Sequence, residues 1–154
     1  MPAEFAISAE SCNCFAVRSA ARHVTQLYDQ FLAPAGLRAT QFSILAKLKR
    51  RGPLTMQILA KEMVMDRSTL ARNIQPLERD GLIALSPSAD DRRAKEVSLT
   101  RAGETRLAAG FKAWTKAQAR FETGFGVKRS AELRGLLHDV VANEFSEDRA
   151  RTAR

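Results

Sequence analysis

Residues Asp66 to Thr100 read "DRSTLARNIQPLERDGLIALSPSADDRRAKEVSLT", and the fold turns on how this stretch is divided. Asp66 can accept a hydrogen bond from the first turn of a helix, and Gly81 can take the left-handed position after its last, so one helix is expected between them. Beyond it, "LIALS" and "EVSLT" alternate, with Ile83 and Leu85 on one face and Val97 and Leu99 on one face. That is the pattern of two half-buried strands, joined by the hairpin tip "SADDRRAKE" from Ser88 to Glu96. The tip sets two acids against two arginines and a lysine. It is either a solvated turn or a device in which Arg92 or Arg93 reaches for something anionic.

On a wheel of about 100° per residue, Leu70, Ile74 and Leu77 fall together while Ser68, Arg72, Gln75 and Arg79 fall opposite. One face belongs to a core, and the other can donate hydrogen bonds. If the N-terminal end of this helix entered a major groove, Arg67, Ser68 and Thr69 would go deepest, with Arg72 and Gln75 one and two turns on. A polar face alone is what any surface helix has. The order of elements decides more: a short helix from about Thr55 to Met63, the turn "VMD", the polar-faced helix and the charged hairpin form a helix-turn-helix followed by a wing. Pro76 removes a backbone donor and should bend the helix near Arg72, past the end that would read DNA.

Outward from this centre the chain is helical. Val17, Ala20, Val24, Leu27 and Phe31 recur at helical intervals in a first helix from Cys12 to Leu32, which Pro34 and Gly36 stop. A second is expected to start at Thr40, capped by its hydroxyl, and to carry Phe42, Leu45 and Leu48 up to "RRGP", Arg50 to Pro53. Thr100 should cap a long fifth helix, where Leu107, Phe111, Trp114, Gln118, Phe121 and Phe125 make a seam resembling a coiled coil. Leu133, Leu136, Leu137, Val140 and Val141 form the apolar side of a sixth.

The 154 residues carry 25 Lys+Arg against 17 Asp+Glu, a net charge of +8 that favours a polyanionic partner, with a short basic cluster at Arg149 to Arg154. No apolar run approaches the 18 or so residues of a membrane span, and the N-terminus lacks the basic start and apolar stretch of a signal peptide, so a cytoplasmic protein is expected. Two cysteines, Cys12 and Cys14, are too few for a disulfide framework. His23 and His138 stand alone, so no metal site is expected, and no nucleophile, base and orienting group gather as they would in an enzyme; no cofactor is expected either.

The run "TMQILAKEMVMDRSTLARNIQPLERDGLIALSPSADDRRAKEVSLTRAG" resembles the MarR family of bacterial winged-helix regulators, most specifically in "LERDGLI", "DDRR" and "VSLTRAG". The resemblance implies a mostly α protein with a small β-hairpin wing: a single domain over 1–154, with a winged helix-turn-helix lobe at 37–100 between dimerisation helices at 12–36 and 101–146. It implies a homodimer whose lobes bind adjacent half-sites of a palindromic operator on double-stranded DNA, most often as a repressor. In that family the wing arginine enters the minor groove; Arg93 holds its place, with Asp91 as the partner that would orient its guanidinium. The DNA-binding candidates are thus Arg67, Ser68, Thr69, Arg72, Gln75, Asp91, Arg92 and Arg93.

A switch is expected on the first helix, where Cys14, Arg18, Ala21, Thr25 and Tyr28 share a strip. The stretch "CFAVRSAAR" is similar to the peroxide-sensing branch of the family, in which a helix-one cysteine is oxidised and tyrosines of the partner subunit contact it. Cys14 and Tyr28 match; Arg18 and Ala39 stand where that branch has tyrosines. Cys14 and Tyr28 lie roughly 21 Å apart along one helix, so they could meet only across an antiparallel dimer. Arg18 could instead anchor the carboxylate of a small aromatic effector, as in ligand-responsive members, with Tyr28 and Phe42 as further ligand-binding candidates. An inert Cys14 and an architectural DNA binder without effector remain the alternatives.

Overall fold

A computed structural model describes residues 8–145; the basic cluster Arg149–Arg154 lies outside the described residues. The chain forms two compact units, one running to Ala117 and the other starting at Gln118. The first holds α1 (Asn13–Leu32), α2 (Ala39–Arg51), β1 (Leu54–Thr55), α3 (Met56–Glu62), α4 (Arg67–Arg79), β2 (Ile83–Pro87), β3 (Lys95–Leu99) and the start of α5 (Arg101–Phe125). The second holds the end of α5 and α6 (Val127–Ala142). This is a mostly helical chain with a small antiparallel sheet, the winged helix expected from the sequence.

The sheet has three strands in the order β1-β3-β2, one more than the sequence suggests. Ile83 faces Leu99 and Leu85 faces Val97 across the hairpin, while Leu54 pairs with Val97 on the other edge. Two residues of β1 are too few to show any alternation, so only the neighbouring strand reveals it.

Leu45, Leu48, Leu59, Leu70, Ile74, Leu77, Ile83 and Val97 form the centre of the core beneath the sheet. Burying each such side chain contributes about 1.5–3 kcal/mol, so α4 is held rigidly by Leu70, Ile74 and Leu77 while its other face stays in solvent. The start of α2 differs from expectation. Ala39 and not Thr40 begins the helix: the Ala39 N–H donates to Asp29 Oδ1 at 2.7 Å, and the Arg38 N–H donates to Gln41 Oε1 at 3.0 Å. The first-turn donors are satisfied from α1 and from within, which no local cap signal announces. Cys12 likewise stands outside α1 as its cap, its Sγ accepting the Phe15 N–H at 3.4 Å.

Much of the expected helical apolar surface is uncovered in the single chain. Phe15 and Val17 on α1, Phe111 on α5, and Leu136, Val140 and Val141 on α6 are all more than two-fifths exposed, Leu136 reaching 65%.

Candidate nucleic-acid interface

The approach to α4 is a tight turn. Thr55 Oγ1 accepts the Ile58 N–H to start α3, and after Met63 the chain passes through Val64 at φ 55°, a left-handed conformation costly for a β-branched residue. The Met65 N–H closes the turn onto the Ala60 carbonyl at 2.9 Å. Asp66 then organises the first turn of α4. Its Oδ1 accepts the Thr69 N–H at 2.7 Å and the Ser68 hydroxyl at 2.7 Å, and its Oδ2 accepts the Thr69 hydroxyl at 2.9 Å. Led by the Ser68 hydroxyl, these bonds hold the Asp66 carboxyl down to about 2. The sequence identifies Asp66 as a cap; its hold on both hydroxyls is a role that the sequence reading missed, although "DRST" places the three groups within reach.

Arg67, Ser68, Arg72 and Gln75 are exposed along the helix and Thr69 is half-buried, Arg72 Nη2 lying 3.5 Å from Thr69 Oγ1. Arg79 is drawn to the neighbouring Asp80 carboxylate at 3.3 Å, an exposed pair of little energetic weight. Helix α4 runs on through Pro76, which cannot donate to the Arg72 carbonyl.

At the wing tip Arg92 and Arg93 are exposed, and among the described residues neither forms an ion pair. Asp91 acts differently from expectation: its Oδ1 accepts the backbone N–H of Arg93 at 2.9 Å, not the guanidinium. It shapes the turn that presents Arg93 and leaves the side chain free to choose its partner. Ser88 is buried at the base of the tip, with its N–H on the Ala94 carbonyl at 2.8 Å. Lys95, not singled out in the sequence, lines a hollow of about 320 Å³ between α4 and the wing together with Arg72 and Gln75.

The wing is fastened at its root, and this explains two of the motifs. Gly81, at φ 71°, ends α4 in a conformation that glycine adopts freely. The Thr100 hydroxyl donates to the Gly81 carbonyl at 2.6 Å and accepts the Gly103 N–H at 3.0 Å, while the Thr100 N–H reaches the Leu82 carbonyl at 3.1 Å. "LERDGLI" and "VSLTRAG" are the two halves of this clasp.

A second cavity, of about 180 Å³, lies among Val24, Thr25, Tyr28, Leu32, Ala39, Phe42, Ser43 and Trp114. The Phe42 and Trp114 rings stack at 6.1 Å, and Phe111 adds a ring 5.6 Å from Trp114. Two ligand candidates, Tyr28 and Phe42, therefore share one wall; Arg18 is exposed on α1 and does not line it. At this volume the cavity admits a single small ring, below the roughly 300 Å³ of a drug-sized pocket. Cys12 and Cys14 are both exposed free thiols. Among the described residues no group of His, Cys, Asp and Glu could hold a metal, and no helix is long and apolar enough to cross a membrane.

Residues 37–95 match the family model described as MarR family. Among solved structures, the transcriptional regulator MosR of M. tuberculosis in complex with DNA is 35% identical, with a TM-score of 0.71 over 84% of this chain and 98% of its own. A probable transcriptional regulator from Pseudomonas aeruginosa is 28% identical, with a TM-score of 0.77 over 86% and 99%. Bordetella bronchiseptica BpsR, whose DNA binding is regulated by 6-hydroxynicotinic acid, shares the fold at 20% identity, with a TM-score of 0.79 over 90% and 99%.

Proposed function

Because the chain belongs to the MarR family, we propose that it is a homodimeric transcriptional regulator that binds a palindromic operator and acts as a repressor. The observation that carries this reading is the pairing of two exposed cationic elements on one rigid lobe. The face of α4 bearing Arg67, Ser68, Arg72 and Gln75 is set against a buried apolar face, and a clasped wing presents Arg92 and Arg93. Helix α4 reads base edges in the major groove, and the wing arginines meet the negative potential of the minor groove or the phosphates beside it. The apolar surfaces of α1, α5 and α6 are the dimerisation surface, since so many large apolar side chains are uncovered in one chain.

Its effector is a small aromatic acid. The cavity beside Tyr28, Phe42 and Trp114 suits one ring, and Thr25 and Ser43 offer hydroxyls. Arg18, two turns before Thr25 and roughly 10 Å along α1, is the candidate for the carboxylate. BpsR, regulated by 6-hydroxynicotinic acid, is a precedent for this ligand class on the same fold. A second reading, oxidation of Cys14 by a hydroperoxide, is favoured by the exposure of both thiols at the start of α1.

The test is selection of duplexes from a random pool, with light scattering of the free protein. Enrichment of a palindrome by a species of about twice the 17.0 kDa chain mass is expected. A monomer, or a pool without enriched sequence, overturns the reading.

A further inference from the structure

The hydroxyls of Ser68 and Thr69 can in general donate to a base or accept from one, and the first turn of α4 removes that freedom. An ionised carboxylate has no proton to give, so in each short contact with Asp66 the hydroxyl must be the donor. Ser68 Oγ lies 2.7 Å from Asp66 Oδ1 and Thr69 Oγ1 lies 2.9 Å from Asp66 Oδ2, so both protons point back at the cap. The depressed carboxyl of Asp66 keeps it ionised at any pH where the protein works. Thr69 is half-buried and has Arg72 Nη2 at 3.5 Å as a further donor, whereas Ser68 is exposed and its oxygen keeps its acceptor capacity.

We infer that Asp66 is a specificity-determining positioning residue: by taking the proton of Ser68 it makes that side chain an acceptor only, so the base opposite Ser68 is one that presents an amino group. In the major groove those are adenine, through its N6 amino group, and cytosine, through its N4 amino group; guanine and thymine offer acceptors at the corresponding place and are rejected. The inference rests on the proposed reading that α4 enters the major groove. It adds the sign of the hydrogen bond made there, and names a residue that need not touch DNA as the one that sets it.

The experiment uses the full chain and the duplex enriched by wild type from a random pool. Each base of the half-site is replaced in turn, and Ser68→Ala identifies the position that it relaxes. At that position wild type should require adenine or cytosine, and an analogue lacking the exocyclic amino group should weaken binding roughly tenfold, a loss absent in Ser68→Ala. Asp66→Gly removes both carboxylate oxygens while leaving a residue that helix caps tolerate, and so frees the Ser68 hydroxyl to turn. Its discrimination at that position should fall to about twofold while it binds non-specific duplex at least as well as wild type, since a negative charge is lost from the DNA-facing end, a combination that a merely structural role would not give. Full wild-type discrimination by Asp66→Gly, or a Ser68-dependent position occupied by guanine or thymine, overturns the inference while leaving the regulator reading intact. Should Asp66→Gly fail to fold, the analogue measurement on wild type and Ser68→Ala decides alone. A pool from which wild type enriches nothing overturns both.

Discussion

Gly103→Ala is the substitution whose cost can be worked out most directly. Gly103 stands in the first turn of α5, and a Cβ there would collide with the Leu82 carbonyl oxygen, would lie 2.6 Å from Leu99 Cδ1 and would lie 3.0 Å from the Leu82 carbonyl carbon. Leu99 can turn aside. The Leu82 carbonyl cannot, because it accepts the Thr100 N–H at 3.1 Å and belongs to the backbone that leads into β2. Relief therefore requires α5 to draw away from the wing root, which stretches the bonds that Thr100 makes to Gly81 and Leu82. Overpacking costs about 1–3 kcal/mol. Each weakened hydrogen bond adds about 0.5–1.5 kcal/mol. Alanine returns at most about 1 kcal/mol of helix propensity. The net expectation is a loss of about 2 kcal/mol, read as a lower urea midpoint at unchanged slope. At Gly110 the nearest groups are side-chain ends, Leu37 Cδ1 at 2.8 Å and Phe42 Cδ2 at 3.1 Å, so alanine there should cost less. A Gly103→Ala protein as stable as wild type would refute the clasp.

Arg93→Ala should weaken operator binding and lower the slope of log affinity against log salt by about one unit, because one phosphate-neutralising charge is lost; equal binding at every salt concentration would return the wing tip to a solvated turn. The Asp66 carboxyl, lowered from 3.8 to about 2, contributes stability that is fully present above 3.8 and is lost as pH falls through about 2. Its carboxyl carbon should therefore titrate by NMR with a midpoint of about 2 and shift upward in Ser68→Ala; a midpoint at 3.8 in wild type would rule out the hydroxyl network. For the switch, Arg18→Ala should still bind DNA but no longer be released by an aromatic acid, while Cys14→Ser responds as wild type does; gel shifts showing release by hydroperoxide alone, lost in Cys14→Ser, would put the thiol in command.

Helix α4 is legible in the sequence because its signals are local: Asp66 and Gly81 bracket it, and Leu70, Ile74 and Leu77 at helical spacing fix the buried face. The hairpin is equally open, its alternation matching the register of Ile83 with Leu99 and Leu85 with Val97. What the sequence hides depends on partners distant along the chain. Strand β1 exists only through pairing with β3, and the start of α2 depends on Asp29, ten residues upstream. Asp91 shows a subtler limit: its position beside Arg93 is evident, but whether it holds the guanidinium or the backbone N–H is a matter of turn geometry. The cavity by Tyr28 and Phe42 likewise needs Trp114 from α5 to close it, and Arg18, on the same strip of α1 as Tyr28, does not reach its wall.

Sequence-specific recognition by the α4 face and the wing is tested most directly by fluorescence anisotropy on two duplexes of equal length and composition, the selected palindrome and its scrambled counterpart, at physiological salt. The expected result is a preference for the palindrome of at least about a thousandfold, with one dimer bound per duplex. Affinities within about tenfold of each other would contradict it, leaving a protein held on DNA by charge alone.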